Sequence, residues 1–130
     1  MKSILLVEDD PFLIDIYTTK LNEAGYEVEV VSEGEAVFKK LKEKNAEGKK
    51  EEAPWPDLVL LDIVLPKKDG WEILKQIKED SQLKNLKVII LSNLGQKAEV
   101  EKGMEMGASG YLIKAQYTPS DILKEIEKFL

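Results

Sequence analysis

Three unbroken aliphatic stretches, Ile4-Leu5-Leu6-Val7, Leu58-Val59-Leu60-Leu61 and Val88-Ile89-Ile90-Leu91, constrain the fold more than any other feature. Runs this short, with no polar alternation, read as central strands of a parallel sheet covered on both faces. With their flanks they give strands over Ser3 to Val7, Leu58 to Leu61 and Val88 to Leu91. Gly110 to Ile113 adds another, and Tyr26 to Val31 alternates as a half-exposed edge strand does. Amphipathic segments long enough for crossover helices separate these runs, and the 130 residues, 43% of them apolar, suffice for one ordinary core. The expected architecture is a single α/β domain over 1–130: a doubly wound, five-stranded parallel sheet with helices on both faces.

Helix starts carry local chemistry. Asp10-Pro11, Ser32 with Glu35, Asp69 with Glu72, and Thr118-Pro119 with Asp121 supply caps, capping boxes or a first-turn proline. The fourth helix, about Gln96 to Met106, shows no comparable cap, while Gly107 marks its end. The last runs from Pro119 to Leu130. Glu43 to Pro56, rich in Lys, Glu, Asn, Gly and Pro without a periodic apolar face, reads as a solvated connection.

Composition then narrows the chemistry. There is no cysteine and no histidine, which excludes disulfides, thiolate metal sites and histidine acting as base, ligand or phosphoacceptor. The net charge of -6 disfavours direct contact with a nucleic-acid backbone. No apolar run approaches the ~20 residues that cross a bilayer, and the N-terminus enters a strand-like run at once, so a cytoplasmic protein without membrane insertion is expected.

In an open doubly wound sheet, ligands sit outside the carboxyl ends of the strands. There the sequence places Glu8, Asp9 and Asp10 after the first strand, Asp62 after the third, Ser92 after the fourth and Lys114 after the fifth. Clustered carboxylates repel unless a cation or protons neutralise them. Mg²⁺ suits such a cluster because it takes one or two carboxylates and completes its octahedron with water or phosphate oxygens. Lys114 adds a compact charge suited to phosphoryl oxygens. Acids, lysine and hydroxyl together point to phosphoryl chemistry.

The ordered set LLVEDDP, PDLVLLDIVLPKKDG, VIILSN and GASGYLIK resembles the receiver domains of two-component response regulators, over essentially the whole chain. The resemblance implies a flavodoxin-like sheet of strand order 2-1-3-4-5. It also implies a phosphorelay signalling switch, stand-alone like the chemotaxis regulators, acting as a phosphoacceptor rather than an enzyme while assisting its own phosphorylation and dephosphorylation. By the resemblance, Asp62 accepts a phosphoryl group from a histidine kinase or histidine phosphotransfer protein. Glu8, Asp9, Asp62 and the backbone carbonyl of Val64 hold Mg²⁺ (or Mn²⁺), and Asp10 caps the first helix. Lys114 and Ser92 contact the phosphoryl oxygens, and the Tyr111 ring swings inward. The face made by helix 4, strand 5 and helix 5 is thereby remodelled for a downstream protein target that the sequence does not name; a homodimer formed on phosphorylation is left open.

The chain departs from the family pattern in three places. Ala115 follows Lys114 where proline in a cis peptide is usual, and a cis bond before alanine costs roughly 2.5 to 4 kcal/mol, which leaves room for a trans bond and a reshaped loop. Asn93 follows the hydroxyl residue where a small side chain is common, and either narrows access or offers a donor. Val64 and Leu94 are apolar where polar groups often place the hydrolytic water, so slow self-dephosphorylation is expected. The alternatives are a phosphorylation-independent pseudo-receiver, supported by Ala115, a phosphatase or phosphotransferase resembling haloacid dehalogenases, whose second acid is missing at Val64, and a flavin module, whose phosphate loop would not be acidic.

Overall fold

The computed structural model describes residues 1–45 and 55–130. Strands β1 (Ser3–Val7), β2 (Glu27–Val31), β3 (Leu58–Leu61), β4 (Lys87–Ser92) and β5 (Gly110–Ile113) alternate with helices α1 (Pro11–Glu23), α2 (Gly34–Asn45), α3 (Gly70–Glu79), α4 (Lys97–Glu105) and α5 (Pro119–Glu127). All strand pairs are parallel, in the order β2-β1-β3-β4-β5. The alternating strand is thus an edge, and the unbroken runs are the central three.

Successive side chains of a strand point to opposite faces, so each central run feeds two cores. Leu5, Val7, Val59, Leu61, Val88 and Ile90 pack with Val37, Leu41, Ile73, Leu74 and Ile77 of α2 and α3. Ile4, Leu6, Leu58, Leu60, Ile89 and Leu91 pack with Tyr17 and Leu21 of α1 and Ile122 and Ile126 of α5. One wet face would have stranded half of these aliphatic side chains in solvent.

The caps divide. Asp10 accepts from the N–H groups of Phe12 (2.9 Å) and Leu13 (3.4 Å), Asp69 from that of Glu72 (3.0 Å), and the Thr118 hydroxyl from that of Asp121 (3.1 Å). Among the described residues the Ser32–Glu35 box does not form. Helix α2 begins only at Gly34, whose backbone presses on the loop after β3 so closely that a Cβ would stand 2.0 Å from the Lys68 carbonyl oxygen. Contact with that loop, and not a side-chain cap, sets this helix start. At α4 the reverse holds: the Glu99 carboxylate accepts from the Gln96 N–H at 3.1 Å, a cap absent from the sequence reading.

Helix α2 also runs further than expected, into the stretch read as a loop. Its last residue closes the chain across that stretch: the Asn45 side-chain amide donates to the Trp55 carbonyl at 2.9 Å, and its oxygen accepts from the Trp55 N–H at 2.8 Å. At the far end of that stretch Trp55 packs on the core and Pro56 is buried, so these two are not solvated; the rest of the solvated-connection reading falls on residues 46–54, outside the described residues.

Candidate functional site

Strand register builds the site. Val7 aligns with Leu61, and Leu61 with Ile90, so the residues just beyond β1 and β3 emerge side by side. The Asp62 N–H donates to the Val7 carbonyl at 3.0 Å, tying the two exits together. Ser92 aligns with Ile113, one residue before Lys114.

At this rim three side chains form a buried ionic triad. The Lys114 ammonium lies 2.5 Å from Glu8 Oε1 and 2.8 Å from Asp62 Oδ2. Glu8 is 1% exposed and Asp62 6%. Burial alone would push the lysine down, but hydrogen bonds to Asp62 and Glu8 outweigh it and hold Lys114 above its usual range. Burial pushes Glu8 up, against the opposing pull of Lys114. The ammonium is therefore the resident counter-charge.

The three acids after β1 have distinct surroundings. Glu8 Oε2 accepts from the N–H groups of Asp9 (3.0 Å) and Asp10 (3.2 Å), so both of its carboxylate oxygens are engaged. This double backbone acceptance was not legible in the sequence, because it depends on the turn after β1. Asp9 is exposed, and Asp10 caps α1 as read. One oxygen from each of Glu8, Asp9 and Asp62 lies within 4.8 Å of the others. An all-oxygen anionic donor set of that size fits a hard divalent cation.

Around this centre, the Val64 N–H donates to Asp62 Oδ1 at 3.2 Å while its side chain is 61% exposed. Ser92 is fully buried, and its hydroxyl accepts from the Leu94 N–H at 3.3 Å. Tyr111 is half-buried, packed on the core of the α2/α3 face, and its hydroxyl donates to the Leu94 carbonyl. Leu94 packs on the same core, while Asn93 is exposed. Lys114 opens a short 3₁₀ turn, Lys114–Gln116, and its bond to Ala115 is trans. The lysine reaches both carboxylates all the same, which removes the support that Ala115 lent to a phosphorylation-independent module.

The rim lies hard against the next helix. The Gly70 N–H donates to the Ile63 carbonyl at 2.8 Å, and a Cβ at Gly70 would stand 2.4 Å from the Asp62 carbonyl oxygen. A side chain there would displace the backbone that carries Asp62.

Comparison with known proteins agrees with this geometry. Residues 4–127 match the family model described as the response regulator receiver domain. The chain is 32% identical over 117 residues to the DNA-binding dual master transcriptional regulator RpaA of Synechocystis, covering 88% of this chain and 43% of that protein. It is 30% identical over 129 residues to the alkaline phosphatase synthesis regulator PhoP of Bacillus subtilis, covering 99% and 48%. It thus spans about half the length of these curated relatives. Among solved structures, the phosphorylated cyanobacterial phytochrome response regulator RcpA superposes with a TM-score of 0.82 at 34% identity, covering 98% of this chain and 92% of that one. The chemotaxis protein CheY4 of Vibrio cholerae superposes with a TM-score of 0.84 at 25% identity, covering 100% and 99%. Among the described residues no helix is long and apolar enough to cross a membrane.

Proposed function

Because the chain belongs to the response regulator receiver domain family, whose members are phosphorylatable switches that bind a divalent metal and interact with histidine kinases and downstream effectors, we propose that Asp62 is its phosphoacceptor. The observation that carries this reading is the triad: a carboxylate at the end of a central strand, paired with Lys114 and flanked by Glu8 and Asp9. In the transfer an Asp62 oxygen bonds to phosphorus as the phosphorus–nitrogen bond of a donor phosphohistidine breaks, and the leaving imidazole takes up a proton. Lys114 is drawn from Asp62 towards the new phosphoryl oxygens, and the Ser92 hydroxyl donates to one of them. Glu8, Asp9, Asp62 and the Val64 carbonyl would hold a divalent ion, read as Mg²⁺ or Mn²⁺, which would neutralise charge on the incoming phosphoryl group.

Loss of the Leu94 N–H bond as Ser92 turns, together with the Tyr111 ring against α4, is the route by which the phosphoryl state reaches the α4–β5–α5 face. Because the chain as a whole carries a net charge of -6, that face is read as meeting a protein partner and not a nucleic acid, in the cytoplasm. Whether phosphorylation also pairs two copies is read by sizing the labelled protein.

Intact mass after incubation with acetyl phosphate tests the reading. One added phosphoryl group is expected with Mg²⁺ and none with a chelator; incorporation that ignores the chelator would overturn the metal assignment. Once formed, the label should be long-lived, because the exposed Val64 side chain offers no hydrogen bond to an attacking water. Val64→Asn should shorten the half-life by roughly tenfold, the upper worth of one added hydrogen bond to the attacking water, followed as loss of phosphoryl mass over time. An unchanged lifetime would remove Val64 from the hydrolytic step.

A further inference from the structure

Helix α4 is the least anchored of the five helices, with Gly103 its single buried residue. It meets the sheet at that glycine, where a Cβ would stand 2.7 Å from Ile90 Cδ1 and 3.0 Å from the Tyr111 ring. The neighbouring residue makes the second attachment. Lys102 places its ammonium 4.4 Å from the ring centroid of Trp71, across the gap between α4 and α3. Among the described residues Lys102 has no carboxylate partner, so the ring is the group its charge meets.

Trp71 is well placed to sense Asp62. It follows Gly70, the residue bonded to Ile63 and pressed on the Asp62 carbonyl, so a shift of the backbone after β3 moves the Trp71 ring with it. Contact runs from Asp62 through Gly70 and Trp71 to Lys102. It crosses the α3 side of the site and uses neither Ser92 nor Tyr111.

We propose that the Lys102–Trp71 contact is a second coupling between the phosphoacceptor and α4: it favours the α4 position seen here, in which the Tyr111 ring already lies inward beneath Gly103 as the phosphoryl state requires, and so strengthens phosphoryl binding at Asp62. The proposal rests on the reading of Asp62 as phosphoacceptor. The physical basis is range. A cation–π contact fades beyond about 6 Å from the ring centroid, so an α4 displacement of a few ångströms abolishes it and the two positions differ by its full worth. Coupling of this kind is reciprocal: what the phosphoryl group gains from the contact, the contact gains from the phosphoryl group.

The test is a titration with beryllofluoride, a phosphoryl mimic, in the presence of Mg²⁺. Trp55→Phe leaves Trp71 as the sole indole, and its emission reports half-saturation. The Gly103 amide resonance follows the same titration in the unaltered chain should that background fail to fold. Lys102→Met should raise the half-saturating concentration about two- to fivefold, the worth of an exposed cation–π pair, and Lys102→Arg should restore it. A residue that only stabilised the fold would move the unfolding midpoint and leave half-saturation where it was. An unchanged or lowered value in Lys102→Met, with the parent titration intact and abolished by Asp62→Asn, overturns the coupling alone. A parent chain with no Asp62-dependent titration overturns the acceptor assignment beneath it.

Discussion

Asp62→Asn should reduce phosphoryl uptake from acetyl phosphate by roughly a hundredfold or more, read as the added mass on the intact chain at fixed time, because the amide has lost the anionic oxygen that attacks phosphorus. The geometry makes this loss sharp. Asp62 frees an oxygen by giving up the single Val64 N–H bond, whereas Glu8 would have to give up two backbone N–H bonds and with them the turn after β1. Asp9 is exposed and outside the lysine's reach among the described contacts, so a phosphoryl group there would lack the Lys114 partner. Continued labelling of Asp62→Asn at the parent rate would mean that another group is the acceptor. Circular dichroism of the variant separates this result from unfolding.

Lys114→Met should lower the unfolding free energy by about 3 kcal/mol in metal-free buffer. Removing one partner of a buried ion pair leaves its counter-charge unpaired in a poorly solvated place. Here it leaves two, since one ammonium serves both Glu8 and Asp62, whose side chains are 2% and 8% exposed. Methionine keeps most of the stem's volume, so the loss reports charge rather than a cavity. Saturating Mg²⁺ should recover much of it, because an ion that binds only the folded state at a hundred times its dissociation constant adds about 2.7 kcal/mol. Urea unfolding with and without Mg²⁺ measures both quantities. A variant as stable as the parent in chelator would show that the carboxylates do not depend on Lys114 for neutralisation.

The strand plan was legible because it is written in local order: four aliphatic residues with no wet alternate admit few placements, and Glu27 and Glu29 mark β2 as an edge. The sheet order came from family resemblance and agrees with the observed pairing. Caps that act within their own turn, at Asp10, Asp69 and Thr118, were equally readable. What escaped depends on distant parts meeting. Gly34 starts α2 because the loop around Lys68 lies against it, 34 residues away in sequence, and no property of Ser32 or Glu35 reveals that. Gln96 is a weak cap by type, so the Glu99 side chain that completes that helix start went unread. The site residues converge as their strand-end positions required, but the sharing of Lys114 between two carboxylates, and the pairing of Trp71 with Lys102, follow from side-chain reach in three dimensions.

The edge strand β2 bears on how copies of the molecule avoid one another. Its outer backbone donors and acceptors are a template onto which a second β2 could add, the ordinary route from sheet to aggregate. Such an addition would set the Glu27 and Glu29 carboxylates of one copy about 5 Å from those of the next, where like charges directly opposed are destabilising. The lysines that neutralise Glu29, Lys40 and Lys44, reach it from the molecule's own α2 at 3.3 and 3.4 Å. They calm the acid within one copy and would have to be shared between two. The alternation that identified β2 as half-exposed therefore also sets like charge against a second copy at the open side of the sheet.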